Sequence, residues 1–394
     1  MSEWKKVKLG DICERVTSGG TPKANVSSYY YPPIIPWLKT KEVNYCRIRE
    51  TENYISEEGL NNSSAKLIAP NSVIIAMYGQ GDTAGRVAIN KIPLTTNQAC
   101  CNLTINKDKA DYEFIYYQLC TLYNKMVSLK AGAAQPNLNA QIIKNLEVLL
   151  PSLPMQHRIA TILSRYDSLI ENYQKQIKLL EEAAQRLYKE WFVDLHFPGH
   201  ENTKIVDGVP EGWEKKRLID LVDVQYGYAF DGKLFNSSGE GMPILRIRNI
   251  PDGTTSDYTT EEASENYIVH NGDIVVGMDG IFHINSWSGG DAYLVQRACS
   301  FRPKEECMKG FVFQAIQEPI KFFEKTLVGA TVAHLGKKHI DSIELCIPKN
   351  FELYQPFSKF YTQRQGVLSQ IRLLTEARDR LIPKLISGLI VVNS

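Results

Sequence analysis

The stretch Ile159-Ala-Thr-Ile-Leu163-Ser-Arg-Tyr166-Asp-Ser-Leu-Ile170-Glu-Asn-Tyr173-Gln-Lys-Gln-Ile177-Lys-Leu-Leu180-Glu-Glu-Ala-Ala184-Gln-Arg-Leu187-Tyr-Lys-Glu-Trp191 decides how this chain is built. Its apolar and aromatic residues step by alternating four and three, and the positions between them are mostly Glu, Lys, Gln and Arg. An average period of 3.5 residues is the mark of a coiled-coil seam, where an ordinary surface helix would show a broader apolar stripe. The segment from Gln156 to Leu195 therefore predicts a rod of roughly 60 Å. A weaker version of the same frame runs through Phe357, Phe360, Arg364, Val367, Ile371, Leu374, Arg378, Leu381 and Leu385. Arginine occupies two of its core places, and Pro383 stands near its end.

Two such helices in one chain suggest a repeat, and further matches bear that reading out along the sequence. Trp4-Lys-Lys-Val-Lys-Leu9-Gly-Asp-Ile12 returns as Trp213-Glu-Lys-Lys-Arg-Leu218-Ile-Asp-Leu221. Pro36-Trp-Leu38-Lys39 is echoed by Pro243-Ile-Leu245-Arg246, and Asn71 to Met77 by Asn271 to Met278. Gln98-Ala-Cys100 matches Arg297-Ala-Cys299, Leu146 to Pro151 matches Ile343 to Pro348, and Ile177-Lys-Leu-Leu180 matches Ile371-Arg-Leu-Leu374. The order is kept while the offset drifts from 209 to 194, as in a tandem duplication whose loops differ in length. In each half, about 150 residues of short β-type runs punctuated by Gly, Asn and Pro precede the helix, which predicts a globular α+β domain. The Pro- and Gly-containing segment between Phe197 and Trp213 is long enough to reposition the second half. The two helices are expected to pack antiparallel about a pseudo-twofold axis, with a globular head at each end.

Composition narrows the class. The 394 residues are 43% hydrophobic and 23% charged, which fits folded domains and excludes disordered or collagen-like chains. No apolar run approaches the roughly 20 residues that span a bilayer, and no signal-peptide pattern opens the sequence, so a cytoplasmic protein is expected. The eight cysteines include no Cys-x-x-Cys pair, which points to reduced thiols and no metal site. Net charge is +1, unevenly distributed. Residues 1–150 hold 17 basic and 13 acidic groups, whereas residues 201–350 hold 16 and 22. If the second half binds nucleic acid, its cations must be concentrated on one face.

The residues offer no catalytic centre. Tyr31-Pro32-Pro33-Ile34 lacks the amide or carboxylate and the aromatic residue of a base-methylating loop. Gly79-Gln-Gly81-Asp82-Thr-Ala-Gly85 is Gly-rich, yet no Gly-Lys-Ser/Thr follows, so it reads as a turn that lets backbone approach a ligand. The seven histidines form no His-Glu-x-x-His pair, and no Gly-x-Ser-x-Gly elbow occurs. No catalytic residue and no metal ligand is assigned.

Several longer strings carry a resemblance. Thr17-Ser-Gly-Gly-Thr-Pro22, Ile35-Pro-Trp-Leu-Lys-Thr40, Asn97-Gln98-Ala99 and Gln135-Pro-Asn-Leu-Asn139 are similar to segments of the specificity subunits of type I restriction–modification enzymes. So are Leu149-Leu-Pro-Ser-Leu-Pro154-Met-Gln156-His-Arg-Ile159 and Leu180-Glu-Glu-Ala-Ala-Gln-Arg-Leu-Tyr-Lys-Glu-Trp-Phe192. The resemblance spans essentially the whole chain. It implies an α+β fold of two similar target-recognition domains, separated by a pair of long antiparallel coiled-coil helices in a pseudo-twofold internal repeat. The expected division is 1–153 and 213–350 for the recognition domains, 154–196 and 351–394 for the helices, and 197–212 for the linker.

The same resemblance implies double-stranded DNA with a bipartite site as ligand, and two modification subunits and restriction subunits as partners. It implies no cofactor in this chain: S-adenosylmethionine, ATP and Mg belong to the partner subunits. One departure is Gly329-Ala-Thr-Val-Ala-His334-Leu-Gly336, where the first half has Gly132-Ala-Ala-Gln-Pro-Asn137-Leu-Asn139. A free-standing DNA methyltransferase or nuclease with an unrecognised site is the competing expectation.

Polar and basic residues in loops beside predicted strands are the candidates for reading DNA. They are Lys39, Lys41, Tyr78, Gln80 and Arg86 in the first half, and Arg246, Arg248, Asn249, His283 and Arg297 in the second, with Lys337 and Lys338 as phosphate contacts. Ile159, Leu163, Ile170, Ile177, Leu180, Leu187, Trp191, Ile371, Leu374 and Leu381 are expected to pair the helices or dock subunits.

Overall fold

The structure is a computed structural model that describes residues 4–131, 137–327, 333–390 and 392. The chain divides into two units, Met1–Ser168 with Thr375–Ser394, and Leu169–Leu374. Each unit holds one globular head and a section of each of two long helices, Leu153–Tyr188 and Gln355–Ile386.

The first head is built on a five-stranded sheet in the order Cys13–Ser18, Cys100–Ile105, Val73–Ala76, Val87–Asn90 and Arg47–Ile48. All neighbours are antiparallel except the edge strand Arg47–Ile48, which runs parallel to Val87–Asn90. The apolar run Val73–Ala76 is buried on both faces, and the pleat divides it. Val73 and Ile75 join the core of Leu9, Leu103, Phe114 and Tyr117, while Ile74 and Ala76 join a second cluster with Leu38, Val43 and Leu94. A smaller sheet, ordered Tyr54–Ile55, Ile35–Leu38, Thr95–Thr96, lies alongside; its last two strands are parallel.

The second head repeats this plan. Its main sheet is ordered Val222–Tyr226, Ala298–Pro303, Ile274–Gly277, Ile284–Ser286, antiparallel throughout. Ile274 and Val276 face the core of Phe301, Phe311 and Phe357, and Val275 faces the cluster of Leu245, Trp287 and Leu294. Its second sheet, of five short strands, again contains one parallel pair, Met242–Leu245 with Ala292–Leu294. The strings that repeat at the two ends of each half turn out to be paired strands. Lys5–Lys8 lies antiparallel to Glu147–Leu150, and Trp213–Arg217 to Glu344–Pro348. Each head is thus closed by its own first and last strands.

Within the first unit, Leu385 and Ile386 of the second long helix share a core with Ile159, Ala160 and Leu163 of the first. Leu381 packs against the edge of the same core. Within the second unit, Leu187, Trp191 and Phe192 pack on the core that contains Phe357, and Ile170 is buried. Ile177, Leu180, Ile371 and Leu374 are half-buried. The first helix is α-helical to Tyr188 and then widens into a π turn, Lys189–Val193, where Tyr188 and Phe192 stack at 5.3 Å. Its α-helical part therefore ends seven residues before Leu195. The second begins at Gln355 after a 3₁₀ turn, Phe351–Tyr354, and passes through Pro383 to Ile386. Part of the expected linker is ordered as a small hairpin, Ile205–Val206 with Val209–Pro210, closed by Asp207-Gly208, both with positive φ.

All eight cysteines are free, and Cys100, Cys101 and Cys299 are buried. Burial pushes the Cys101 thiol up to about 12, which suppresses the thiolate and its reactivity. Among the described residues no helix is long and apolar enough to cross a membrane.

Candidate nucleic-acid interface

In both heads a cationic residue follows a strand and opens a single 3₁₀ turn. In the first, Lys39 follows Ile35–Leu38 and precedes the turn Thr40–Glu42. Its backbone N–H donates to Glu42 Oε1 at 3.0 Å, and its ammonium lies 5.0 Å from the centre of the Trp37 ring while donating to Asn53 Oδ1 at 3.0 Å. In the second, Arg246 follows Met242–Leu245 and precedes Ile247–Asn249. Its N–H donates to Asn249 Oδ1 at 2.9 Å, and its guanidinium lies 5.3 Å from the Phe235 ring. The repeated design is a cation resting on an aromatic face, with its backbone fixed by the side chain three residues on. Asn249 is therefore a capping residue as well as a candidate reader.

Lys41 and Arg248 sit on these turns and are exposed. Lys41 pairs with Glu52, whose hydrogen bond raises the lysine's pKa. Arg248 makes a two-pronged contact with Asp257, with Nη2 2.6 Å from Oδ1 and Nε 3.1 Å from Oδ2. The Lys41–Glu52 pair is exposed on both sides and contributes little to stability, so a phosphate can take over that cation at small cost, whereas the Asp257 carboxylate is largely buried and holds Arg248 in place.

A second group of candidates lies at the ends of the central strands. In the first head Arg86 donates to Asn44 Oδ1 at 3.0 Å and to Asp82 Oδ1 at 2.6 Å. The hydrogen bond from Arg86 holds the Asp82 carboxyl below its usual range. Tyr123 donates to the Asp82 carbonyl at 2.8 Å, and its ring lies 6.4 Å from that of Tyr45. Burial pushes the Tyr45 hydroxyl up to about 12. Because Asn44 belongs to the segment that carries Lys39 and Lys41, Arg86 is tied to the first group. Gln80 is exposed, whereas Tyr78 is half-buried against the core. The Gly79–Gly85 segment is the loop of a hairpin between Val73–Ala76 and Val87–Asn90, with no helix after it to cradle a phosphate.

In the second head Asp279 gathers the corner. It accepts from Arg297 and lies 2.5 Å from His334 Nδ1. Burial works against its charge, but the hydrogen bonds from His334 and Arg297 prevail and hold the carboxyl below its usual range. Arg297 is exposed and takes a positive φ of 70°, an unusual conformation for a residue with a Cβ. His283 is half-buried at the head of the edge strand; its carbonyl accepts from Gly277 N at 2.8 Å. Lys337 and Lys338 are exposed at the start of the short helix Lys337–Asp341.

The loops that carried part of the resemblance meet these corners. Leu138 N donates to Met77 O at 3.2 Å, and Leu335 N to Met278 O at 2.7 Å, so in each head the loop leucine hangs on the methionine at a central strand end. Residues 132–136 and 328–332, the rest of those two loops, lie outside the described residues. Sequence reasoning missed Asp279, His334, Asn44 and Tyr45. The repeat held a signal for His334, which aligns with Asn137, while the others become visible only through their contacts.

Among the described residues no cluster of His, Cys, Asp and Glu is placed to hold a metal ion. Two loop corners per head, rich in paired cations and polar groups, suit contact with an extended polyanion.

Comparison with known proteins places these features. The family model for the type I restriction modification DNA specificity domain matches residues 1–182 and again 210–364, once for each half. The type I restriction enzyme MjaIX specificity subunit of Methanocaldococcus jannaschii is 28% identical over 422 aligned positions, covering 98% of this chain and 93% of that protein. The HindI specificity subunit of Haemophilus influenzae is 21% identical and covers 98% of this chain and 100% of its own length. The crystal structure of a type I restriction–modification S subunit from M. genitalium shares the fold, with a TM-score of 0.57 at 16% identity over 100% of this chain and 97% of that one. The chain belongs to the type I restriction modification DNA specificity family.

Proposed function

We propose that this chain is the DNA sequence-specificity subunit of a type I restriction–modification complex. Each head, 1–153 and 213–350, reads one half of a bipartite site in double-stranded DNA. The helical segments 154–196 and 351–394 act as one antiparallel coiled-coil pair that sets the gap between half-sites, and 197–212 links the repeats. The observation that carries this reading is the turn that follows the matching strand in two heads of the same plan: Lys39 capped by Glu42 and resting on Trp37, and Arg246 capped by Asn249 and resting on Phe235, an aromatic supplied by a different strand. Two copies of one reading surface in a single chain are what a site split in two requires. The antiparallel pairing is supported within each unit: Leu385 meets Leu163 in the first, and Phe357 meets Trp191 in the second.

Phosphate contacts from Lys337, Lys338 and the exposed turn cations supply salt-dependent affinity, and base-edge contacts from Arg and Asn or Gln supply sequence. The helices also dock two modification subunits, and restriction subunits join that assembly. Leu179 and Leu373 are at least half exposed on the helices and offer apolar contact. In this reading the chain supplies the address, and partner subunits supply S-adenosylmethionine, ATP and Mg chemistry in the cytoplasm.

Sequencing the modified bases of a cell that carries the complete system tests the reading. The expected result is a methylated motif of two short half-sites with a fixed gap. A single uninterrupted motif, or transfer of labelled methyl groups by the purified chain alone, overturns it.

A further inference from the structure

Both heads present the edge strand of their main sheet to the long helices, and in both the contact is made through a buried arginine. In the first unit that residue is Arg47, in the edge strand Arg47–Ile48, with a side chain 5% exposed. Arg47 Nη1 donates to Asp167 Oδ2 on the first long helix at 2.6 Å, and Nη2 to the Tyr117 hydroxyl at 2.8 Å. The other oxygen of Asp167 accepts from Arg378 of the second long helix at 2.7 Å. One carboxylate thus binds the head's edge strand to both helices. In the second unit the charges are reversed, and the hub is Arg364 of the second long helix, 8% exposed. Its Nε donates to Glu181 of the first helix at 2.7 Å. Its Nη2 donates to Asn285 Oδ1 at 2.8 Å and its Nη1 to Ser286, both in the edge strand Ile284–Ser286.

The two clamps are not copies of one another. At the offset that matches Ile177 to Ile371, Asp167 falls on Tyr361 and Arg364 on Ile170. A pin inherited through duplication would repeat. Here the strands differ as well, since Arg47–Ile48 is a fifth strand beyond Val87–Asn90 whereas Ile284–Ser286 holds the fourth place; two unrelated solutions, each a buried arginine at the outer edge of the main sheet, point to a requirement for a directional contact there. Apolar contact alone is non-directional and lets a head rock on its helices. A buried charge network accepts one geometry, because rocking leaves a charge buried and unpaired.

We propose that the Arg47–Asp167–Arg378 and Arg364–Glu181–Asn285 clamps are positioning devices that fix the angle of each head on the helices, and so set how strictly one gap between half-sites is demanded. This rests on the bipartite reading above. With the angle fixed, the effective concentration of the second head at its half-site peaks sharply at one gap; with the angle loose, neighbouring gaps are served as well.

The test uses the full complex reconstituted with its modification subunits, acting on DNA that carries the native half-sites with the gap native, one base pair longer or one shorter. The variants are Arg47→Met, Arg47→Lys and Asn285→Ala. The last removes the head-side acceptor of Arg364 Nη2, together with the Nδ2 hydrogen bonds to the Ile250 and Pro251 carbonyls, and leaves Arg364 paired with Glu181. Ser286→Ala, which removes the acceptor of Nη1 and spares those two carbonyl contacts, is measured beside it and is expected to shift the preference in the same direction, so the test stays informative if Arg47→Met fails to fold. In Arg47→Met and Asn285→Ala, preference for the native gap is expected to fall by roughly tenfold relative to wild type. Arg47→Lys, which keeps the charge, is expected to recover part of the preference. Methylation that drops in equal proportion at every gap, or an unchanged preference, overturns the positioning role. A wild-type complex that shows no preferred gap overturns the bipartite reading itself, an outcome read from the wild type alone.

Discussion

Arg378 and Asp167, 211 residues apart in the chain, meet at 2.7 Å, Nη1 to Oδ1. Arg378 stands in the 3.5-residue frame of the second long helix, where an apolar residue is expected. Asp167 lies beside Tyr166 in the first helix, one place out of its frame. The long guanidinium side chain reaches past the apolar stripe to a carboxylate whose side chain is only 7% exposed. That carboxylate also accepts from Arg47 and Tyr117, so its two oxygens carry three charged or polar partners.

Replacing Asp167 therefore does more than remove one bond. Asp167→Ala leaves the buried Arg47 guanidinium without its nearest counter-charge, and breaking such a pair from one side costs about 3–5 kcal/mol. Arg378→Met leaves Asp167 paired with Arg47 and keeps the methylenes that cover the apolar stripe, so its cost is expected to be smaller. Denaturant titration of the two variants beside the wild type checks the order. A wild-type midpoint for Asp167→Ala contradicts the role of this carboxylate.

Acid should reveal the same group. Burial disfavours the Asp167 charge, but the field of Arg47 and the hydrogen bonds from Tyr117, Arg47 and Arg378 outweigh it and hold the folded-state carboxyl below the usual range. The stabilisation is whole above the unfolded value of about 3.9 and drains away as pH falls through the lower folded-state value. Melting temperature measured from pH 6 downward through the unfolded value is expected to fall more steeply for the wild type than for Asp167→Asn. Parallel curves would assign the acid loss to other carboxylates.

These residues show which parts of the molecule were legible in the sequence. The duplication, the long helices and the closing strings of each half were readable because each repeats a local pattern: a 3.5-residue period, or one apolar run bounded by turn residues. Even there, Arg364 and Arg378 looked like flaws in the second seam, because a one-dimensional frame has no place for a partner such as Glu181 or Asp167 on another helix. Arg47 attracted no notice, since its burial depends on a two-residue edge strand that forms only when Val87–Asn90 is beside it. Loop cations could be nominated by type, yet what orients them is a distant acid: Asp257 for Arg248, Asp279 for Arg297. Asn249 and His283, nominated as readers, take part in holding backbone, a role set by turn and strand geometry.

Gly310 tests the packing of the second head against the second helix. It lies in the helix Lys309–Ala315, and a Cβ built on it would come within 2.0 Å of the Phe357 carbonyl oxygen. The obstacle is backbone in the first turn of a long helix, so no flexible side chain can yield. Gly310→Ala normally raises helix propensity by about 1 kcal/mol, yet here overpacking by at least about 1–3 kcal/mol should prevail. A calorimetric melt is expected to show net destabilisation, with Gly366→Ala as control: Gly366 is also in a helix, and a Cβ there meets nothing within 4 Å. Gly366→Ala should be neutral or stabilising.

Substitutions at Arg297 and Lys337 test the two proposed ways of touching DNA. Lys337 is an exposed cation at the start of a short helix, suited to phosphate. Its loss in Lys337→Ala should weaken binding to target and unrelated duplexes alike, and lower the slope of log affinity against log salt by about one. Arg297 is exposed but aimed by Asp279, which engages its Nη1 and leaves Nε and Nη2 as further donors. A guanidinium so oriented suits the O6 and N7 edge of guanine, so Arg297→Gln should cost about 1–3 kcal/mol on the cognate site and relax the requirement at a single base pair. Asp279→Asn should reproduce part of that relaxation with Arg297 still present, because the aim is lost while the cation stays. Affinities of the assembled complex for the target and its single-base variants, taken at several salt concentrations, decide the matter. If Arg297→Gln weakens every duplex equally, Arg297 contacts phosphate and the second head reads its bases elsewhere.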